Sequence, residues 1–402
     1  MALSQRSFEA QASATSGVPG GRAAPAATQR SVEIQASETA PLPTPPRPTA
    51  PAAQGADLGN SAALDQWRGL ALVLVLISHG FYFTNRVHGI GRVGVNLFFF
   101  ISGILVFRSL AKAREATPWQ RALGFWKRRL RRLYPAMASF LVAMAPIVFL
   151  GRYLPTEAGQ ADFSKFLGYW PFSILYLTNY VNAPISLGHL WSVSCEMQFY
   201  LLGPLIFMVG GSTTRRRFLV WGALLLLLLL AGAAEPWFAR RYGDLVKYSF
   251  QCAVWPMMLG FWGEYQKVWL ERVTRPWARA LACLGVAMLA ASLVLILFGG
   301  EMKKLVIMAG TFVMAPCYLN YLAGRSIPGW AGRGLGWIGE RTYSIYMWQQ
   351  PFSIAGFLPL KLHALGALVS IWVGGAWFYL FERPFLSSSR RAWIAKSPTP
   401  GA

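Results

Sequence analysis

Long apolar runs separated by short basic stretches are the dominant pattern of this chain. Seven consecutive leucines lie within 219–234, and several other runs are nearly as apolar. A helix needs about 20 mainly apolar residues to cross the hydrocarbon core of a bilayer. The pattern therefore predicts an all-α, polytopic membrane protein with about ten transmembrane helices. The predicted spans are 62–83, 93–110, 134–151, 190–210, 217–234, 246–263, 280–298, 304–322, 342–360 and 363–381.

Two regions depart from this pattern. Residues 1–60 are rich in Ala, Pro, Ser and Thr, and such a composition buries too little apolar surface to offset the entropy lost on ordering. We predict a disordered tail there, followed by a membrane domain over 61–386 and a short basic tail over 387–402. The stretch 163–182 is moderately apolar but interrupted by Pro171, so we place it outside the membrane; a re-entrant segment or an extra helix is the alternative.

Composition and charge agree with a membrane location. The chain is 54% hydrophobic and 13% charged, whereas soluble domains carry about 25% charged residues. The net charge of +22 would suggest a nucleic-acid partner in a soluble protein, but here Lys and Arg gather in alternate loops. By the positive-inside rule both termini are cytoplasmic, and anionic lipid headgroups are the expected partners rather than nucleic acid.

The cysteines have neither metal-ligand spacing nor the spacing of a disulfide framework. They all fall in apolar segments, so we expect all four to be small buried residues and we predict no metal site. These residues are Cys195, Cys252, Cys283 and Cys317.

Ionisable residues within predicted spans are costly and need a reason. Arg68 lies at the cytoplasmic start of the first span and His79 near its outer end. Their separation along a helix is about 16 Å, so they address opposite sides of the membrane. Taken alone, Arg68 is also explained as an interfacial anchor and His79 as a helix-packing hydrogen bond.

Glu196 lies inside the outer end of the fourth predicted span, at a depth similar to that of His79. We predict that the two pair, with the carboxylate orienting the imidazole for general-base catalysis. A purely structural polar pair is the alternative. In the second span, Gly94 and Gly103 allow close helix approach, and Ser102 offers a hydroxyl; helix packing alone also explains these residues.

A dense basic patch follows the second span, in the segment WKRRLRRLYP at 126–135. Guanidinium groups grip phosphates with two hydrogen bonds, so Arg129 and Arg132 are candidates for binding a phosphate-bearing cytoplasmic donor. A topology signal that contacts anionic lipid is the alternative.

Together these motifs resemble the acyltransferase 3 family of membrane acyltransferases, which acylate sugars of surface polysaccharides, peptidoglycan and signalling oligosaccharides. The similarity runs from Leu64 to Phe385. The matching motifs are LDQWRG followed by His79, GVNLFFFISGIL in the second span, Arg129 and Arg132 followed by Tyr134 and Pro135, HLWSVSCEMQFY around Glu196, and the late segments IGERTYSIYMWQQP and FERPF.

Three positions depart from the family pattern. Asn96 stands where an acidic residue is common, and Cys195 where an aliphatic residue is usual. Gln349 stands where His is frequent, which leaves no second histidine at that point of the sequence.

The resemblance implies acyl-CoA as a cytoplasmic co-substrate, no cofactor, and a carbohydrate or glycolipid acceptor, with acetyl as the expected acyl group. We assign His79 and Glu196 to catalysis, and Arg68, Arg129, Arg132, Ser102 and Trp191 to substrate binding. Direct transfer and a covalent acyl-enzyme both remain open. The runner-up function is a proton-coupled transporter or flippase for a sugar, lipid or anion, and a third is a structural partner of an envelope-synthesis complex.

Overall fold

The structure is a computed structural model that describes residues 50–81, 88–113, 117–151, 153, 157–277, 314–353 and 362–386, with scattered positions between 279 and 294. The described residues belong to one unit, Thr49–Ala402. Helices joined by turns make up this described part, in which no strand occurs. The all-α prediction is confirmed to that extent.

The α-helices, numbered over the described residues, are α1 (Ala50–Gly80), α2 (His88–Ala111), α3 (Pro118–Gly151), α4 (Glu157–Ile174), α5 (Leu190–Val209), α6 (Thr214–Tyr242), α7 (Phe250–Ala253), α8 (Trp255–Tyr265), α9 (Lys267–Thr274), α10 (314–322), α11 (Gly329–Glu340), α12 (Thr342–Ser353) and α13 (His363–Trp377). Short 3₁₀ turns occupy Thr178–Tyr180, Asp244–Tyr248 and Arg275–Trp277. A π-helical turn, Phe378–Glu382, and a 3₁₀ turn, Arg383–Phe385, continue α13.

Five described helices are long and apolar enough to cross a membrane, and each contains or overlaps a predicted span. They are Ile90–Ala111, Pro118–Gly151, Leu190–Val209, Thr214–Tyr242 and His363–Phe385. Most of the predicted spans at 280–298 and 304–322 and the end of that at 342–360 lie outside the described residues. The count of ten spans and the orientation of the termini therefore stay predictions.

Two boundaries differ from the sequence-based prediction. The segment predicted as one span over 246–263 is broken, because Ser249 and Val254 interrupt it between a 3₁₀ turn, α7 and α8. Pro256 falls in the first turn of α8, where its missing N–H needs no partner. Separately, α1 begins at Ala50, inside the stretch predicted as a tail. Alanine is the strongest helix former, and the first turns of α1 are rich in it.

Helix α2 occupies a central position, since it packs against α1, α5 and α8. Glycines permit this packing: a side chain at Gly94 would strike the Ala71 carbonyl of α1, and one at Gly103 would strike the Met257 carbonyl of α8. The prediction that Gly94 and Gly103 allow close helix approach is confirmed.

The cysteine prediction is correct for three residues and wrong for one. Cys195, Cys252 and Cys317 are buried, whereas Cys283 is exposed. An apolar residue on the outside of a membrane helix meets lipid rather than water, so an apolar sequence environment does not distinguish the two positions.

Candidate active site

A cavity of about 770 Å³ lies where α1 ends, and we call it the histidine cavity. His79, His189 and Trp191 line it, together with side chains from α2 and from the 3₁₀ turn that precedes α7. Sequence analysis predicted roles for His79 and Trp191, and the structure places both on this one wall. The histidine cavity is large enough for a sugar unit, since pockets for small molecules typically have volumes of about 300–1,000 Å³.

The hydrogen-bond partner of His79 is Gln349 of α12, whose side-chain Oε1 faces the ring Nδ1. A carbonyl oxygen only accepts hydrogen bonds, so this arrangement places the ring proton on Nδ1. The neutral imidazole then carries its lone pair on Nε2, which is the form a general base requires. Gln349 is fully buried, and its own Nε2 has no hydrogen-bond partner in the part of the chain that the structure describes. The amide that replaces the family's frequent histidine therefore orients His79.

His189 is a second histidine of this cavity that sequence analysis missed. Its side chain is buried, its Nε2 contacts the Met347 carbonyl at 2.9 Å, and its Nδ1 has no hydrogen-bond partner within the described ranges. The residue lies just before α5, two positions ahead of Trp191. A histidine at the start of an apolar helix was the available signal.

Glu196 does not pair with His79 as predicted. Its carboxylate is buried and accepts hydrogen bonds from the Ser102 hydroxyl of α2, at 2.7 Å, and from the Tyr200 hydroxyl one turn further along α5. The reason is that α2 packs against both α1 and α5 and supplies the nearer donor. The sequence indicates how far along its helix Glu196 lies, but not the direction in which its carboxylate points.

A narrow cavity of about 20 Å³ lies beside Glu196. It shares Val75, Val95 and Tyr346 with the wall of the histidine cavity. Its volume corresponds to about one water molecule. These three side chains therefore form the layer between the carboxylate and the histidine cavity.

Tyr200 connects Glu196 to the basic patch. The Arg129 guanidinium lies 4.7 Å from the centre of the Tyr200 ring and 5.3 Å from that of Phe125. Glu196 and Arg68 are both within electrostatic range of Arg129. No ion pair of Arg129 with a carboxylate occurs within the part of the chain that the structure describes. Arg129 thus keeps its hydrogen-bonding edge for another partner.

Arg132 is bound differently from Arg129. Its Nη2 and Nε lie 2.7 and 2.8 Å from Oε1 of Glu382, and the second oxygen of that carboxylate accepts a hydrogen bond from Ser344. Glu382 is fully buried. Sequence analysis quoted FERPF but gave this glutamate no role, because its partner lies 250 positions away.

A second open cavity, of about 490 Å³, lies beside the start of α3, and we call it the arginine pocket. Five cationic residues line it and no described lining residue is acidic. The cations are Lys127, Arg128, Arg129, Arg131 and Arg132. Such a site suits a ligand that carries several phosphates.

Two further predicted residues, Arg68 and Ser102, line neither of the two larger cavities. Arg68 is buried, with Nη1 3.7 Å from the Asp65 carboxylate and its guanidinium over Phe98, and its Nε has no hydrogen-bond partner among the described residues. The Ser102 hydroxyl donates its hydrogen bond to the Glu196 carboxylate.

The comparisons with known proteins identify the family of the chain. The family model described as "Acyltransferase domain" matches residues 61–382, so the chain belongs to the acyltransferase 3 family. No solved structure matches it.

Curated relatives are similar over part of their length. YrhL of Bacillus subtilis is 26% identical over 366 residues, which is 82% of this chain and 56% of that protein. The peptidoglycan O-acetyltransferase OatA of Listeria monocytogenes is 32% identical over 154 residues, or 37% of this chain and 24% of that protein. The O-acetyltransferase OatA of Staphylococcus aureus is 33% identical over 150 residues, 36% of this chain and 24% of that protein. The chain thus spans about half of YrhL and a smaller share of the OatA proteins.

Proposed function

We propose that this protein is an integral membrane O-acyltransferase of the bacterial inner membrane. It moves an acetyl group from acyl-CoA in the arginine pocket to a carbohydrate hydroxyl in the histidine cavity. The observation that carries the proposal is the position of His79, whose Nδ1 contacts the buried Gln349 side chain while the residue lines an open cavity. The name of the Listeria relative supports an envelope glycan as the acceptor.

The proposed reaction follows from that geometry. The sugar hydroxyl gives its proton to Nε2 of His79 while its oxygen attacks the thioester carbonyl. The C–S bond then breaks, the CoA thiolate takes up the proton from the imidazolium, and an acetyl ester remains on the sugar. His79 therefore acts first as a base and then as an acid.

The donor half of the proposal rests on the different partners of the two arginines. Arg132 is neutralised by Glu382, whereas Arg129 has no carboxylate partner among the described residues and borders the same pocket. Arg129 is therefore the guanidinium that we assign to a donor phosphate. Arg68 and His79 lie about 16 Å apart along α1, a gap that the long, thin pantetheine arm of CoA is suited to cross.

Glu196 then has a positioning role rather than a catalytic one. Its carboxylate holds the Tyr200 hydroxyl, and the face of the Tyr200 ring supports the Arg129 guanidinium. A cation above an aromatic ring contributes about 0.5–2 kcal/mol, depending on how far it is desolvated. Loss of Glu196 should therefore weaken donor binding more than it changes the proton transfer at His79.

The test uses purified protein in lipid vesicles, acetyl-CoA labelled in the acetyl group, and a soluble fragment of bacterial cell-wall glycan. We expect alkali-labile label on the glycan. Arg129→Ala should raise the KM for acetyl-CoA about 10–100-fold, since a charge-assisted hydrogen bond contributes about 1.5–3 kcal/mol. Arg272→Ala, at an exposed cation of α9 that does not line the pocket, is the matched control.

Two results would overturn the proposal. Unlabelled glycan after complete incubation, with glycan accumulated across the vesicle membrane, would favour the transporter function instead. An unchanged KM in Arg129→Ala would show that the basic patch contacts lipid rather than the donor.

A further inference from the structure

One face of α1 connects the two ends of the candidate site. Arg68 and His79 are eleven positions apart, which is close to three full helical turns, so they lie on the same face of the helix. Leu72 and Val75 occupy that face between them, four and seven positions after Arg68. Both line the narrow cavity beside Glu196. This cavity therefore lies along α1 between Arg68 and the proposed base.

The narrow cavity adjoins the rest of the site at both ends. Phe98 of α2 lines it, and the Arg68 guanidinium lies over the Phe98 ring at 5.4 Å from the ring centre. At the other end, Val75 and Val95 line both the narrow cavity and the histidine cavity. A donor that follows α1 from Arg68 towards His79 passes this cavity.

The lining of the narrow cavity is mainly apolar, and its hydroxyl groups already have partners. The Ser192 hydroxyl donates a hydrogen bond to the Tyr346 hydroxyl at 2.7 Å, and the Tyr343 hydroxyl donates one to the Leu133 carbonyl at 3.2 Å. Glu196 is the one charged residue among those described in the lining, and its Oε1 accepts hydrogen bonds from two residues outside the cavity. A buried water needs about two to four polar partners. The cavity therefore suits a small apolar group better than a water molecule.

The size of the narrow cavity sets an upper limit on that group. Its volume of about 20 Å³ admits one group of the size of a water molecule, which is also close to the size of a methyl group. The buried side chains of Leu72 and Val193 close it from α1 and from α5. A longer chain would have to displace packed side chains, and close-packed interiors resist such overpacking.

We propose that the narrow cavity holds the acyl group of the donor and restricts it to acetyl, with Val193 and Leu72 as the residues that set this limit. The methyl group enters the cavity, and the thioester carbonyl stays at its edge towards the histidine cavity. This inference rests on the proposed function, because it takes a thioester donor to bind along α1. It adds to that function the residues that select the acyl chain.

The experiment measures donor binding alone, by calorimetric titration of purified protein in nanodiscs without any glycan. The probes are CoA thioethers that carry 2-oxopropyl, 2-oxobutyl or 2-oxopentyl groups. They mimic the acetyl, propionyl and butyryl thioesters but cannot transfer an acyl group. We expect the wild-type protein to bind the 2-oxopropyl probe about tenfold more tightly than the 2-oxopentyl probe, because the longer chain overpacks the cavity.

Variants then assign this discrimination to the cavity lining. Val193→Ala and Leu72→Val enlarge the cavity from two different helices, so each should reduce the discrimination several-fold. Val193→Ile fills the cavity and should weaken binding of the 2-oxopropyl probe as well. Val148→Ala is the matched control, because Val148 is a buried valine of α3 that lines none of the three cavities. It should leave the discrimination unchanged.

Three results would contradict these expectations in different ways. Equal affinity of the wild-type protein for all three probes would overturn the inference and leave the donor site of the proposed function standing. Discrimination that stays unchanged in both Val193→Ala and Leu72→Val would overturn it as well, since another part of the protein would then set the chain length. A protein that binds none of the probes would lack a thioester-donor site and would contradict the proposed function itself.

Discussion

Replacing Gln349 with Met is the sharpest test of how His79 is oriented. Methionine has a similar volume and no hydrogen-bond acceptor of comparable strength. The substitution removes the Oε1 that holds the proton on Nδ1. A neutral hydrogen bond contributes about 0.5–1.5 kcal/mol, so the reactive tautomer loses up to about tenfold in population. Lost orientation of the ring adds to this, and kcat should fall about 10–100-fold.

The effect on stability should be small, and this separates orientation from packing. The substitution leaves the His79 ring N–H without its partner, which costs about 1–3 kcal/mol, but it also removes the buried, unpartnered Nε2 of Gln349. The two changes oppose each other. We expect a thermal midpoint close to that of the wild-type protein and an unchanged KM for acetyl-CoA.

The assay is acetyl transfer per folded molecule, with folding checked by thermal unfolding in detergent. Gln198→Met is the matched control, because Gln198 of α5 donates hydrogen bonds to Asn179 and to the Tyr176 carbonyl and lines neither cavity. It should lower stability and leave kcat unchanged. Full kcat in Gln349→Met would refute the reasoning, since the proton on Nδ1 would then not depend on Gln349.

Two further predictions concern the buried carboxylates. Glu382→Gln should lower the free energy of unfolding by about 3–5 kcal/mol, because it leaves Arg132 without its carboxylate partner. The double variant Arg132→Met, Glu382→Leu should lose less stability than Glu382→Gln alone, as measured by thermal unfolding. A double variant that loses as much stability as Glu382→Gln, or more, would contradict this. Ser102→Ala should raise the KM for acetyl-CoA several-fold with little change in kcat, because it removes one of the two described donors to Glu196; a loss confined to kcat would show that Glu196 acts directly in catalysis.

Much of the fold follows from apolar length alone. The spans in α2, α3, α5, α6 and α13 are long apolar runs, and lipid requires such runs to be helical because every backbone group must be satisfied internally. The break within 246–263 did not follow from composition. Lys247, Ser249 and Gln251 are isolated polar positions in an otherwise apolar run, and the extended backbone at Ser249 separates the preceding 3₁₀ turn from α7.

The sequence predicted the residue types of the candidate site and two residues that line the same cavity. His79 and Trp191 lie on the same cavity wall, and Arg129 borders a basic pocket. The partners were less predictable, because sequence gives the depth of a residue but not the rotation of its helix. Glu196 therefore was assigned to His79, although Ser102 on the intervening helix is nearer.

The measurement that tests the central claim most directly compares wild-type protein with His79→Gln in the vesicle assay, using labelled acetyl-CoA and cell-wall glycan. Glutamine keeps the polarity of the site but cannot serve as a general base. The account predicts ester-linked label on the glycan with wild-type protein and none above background with His79→Gln. The two proteins should bind acetyl-CoA with the same affinity. Transfer by His79→Gln at the wild-type rate would contradict it.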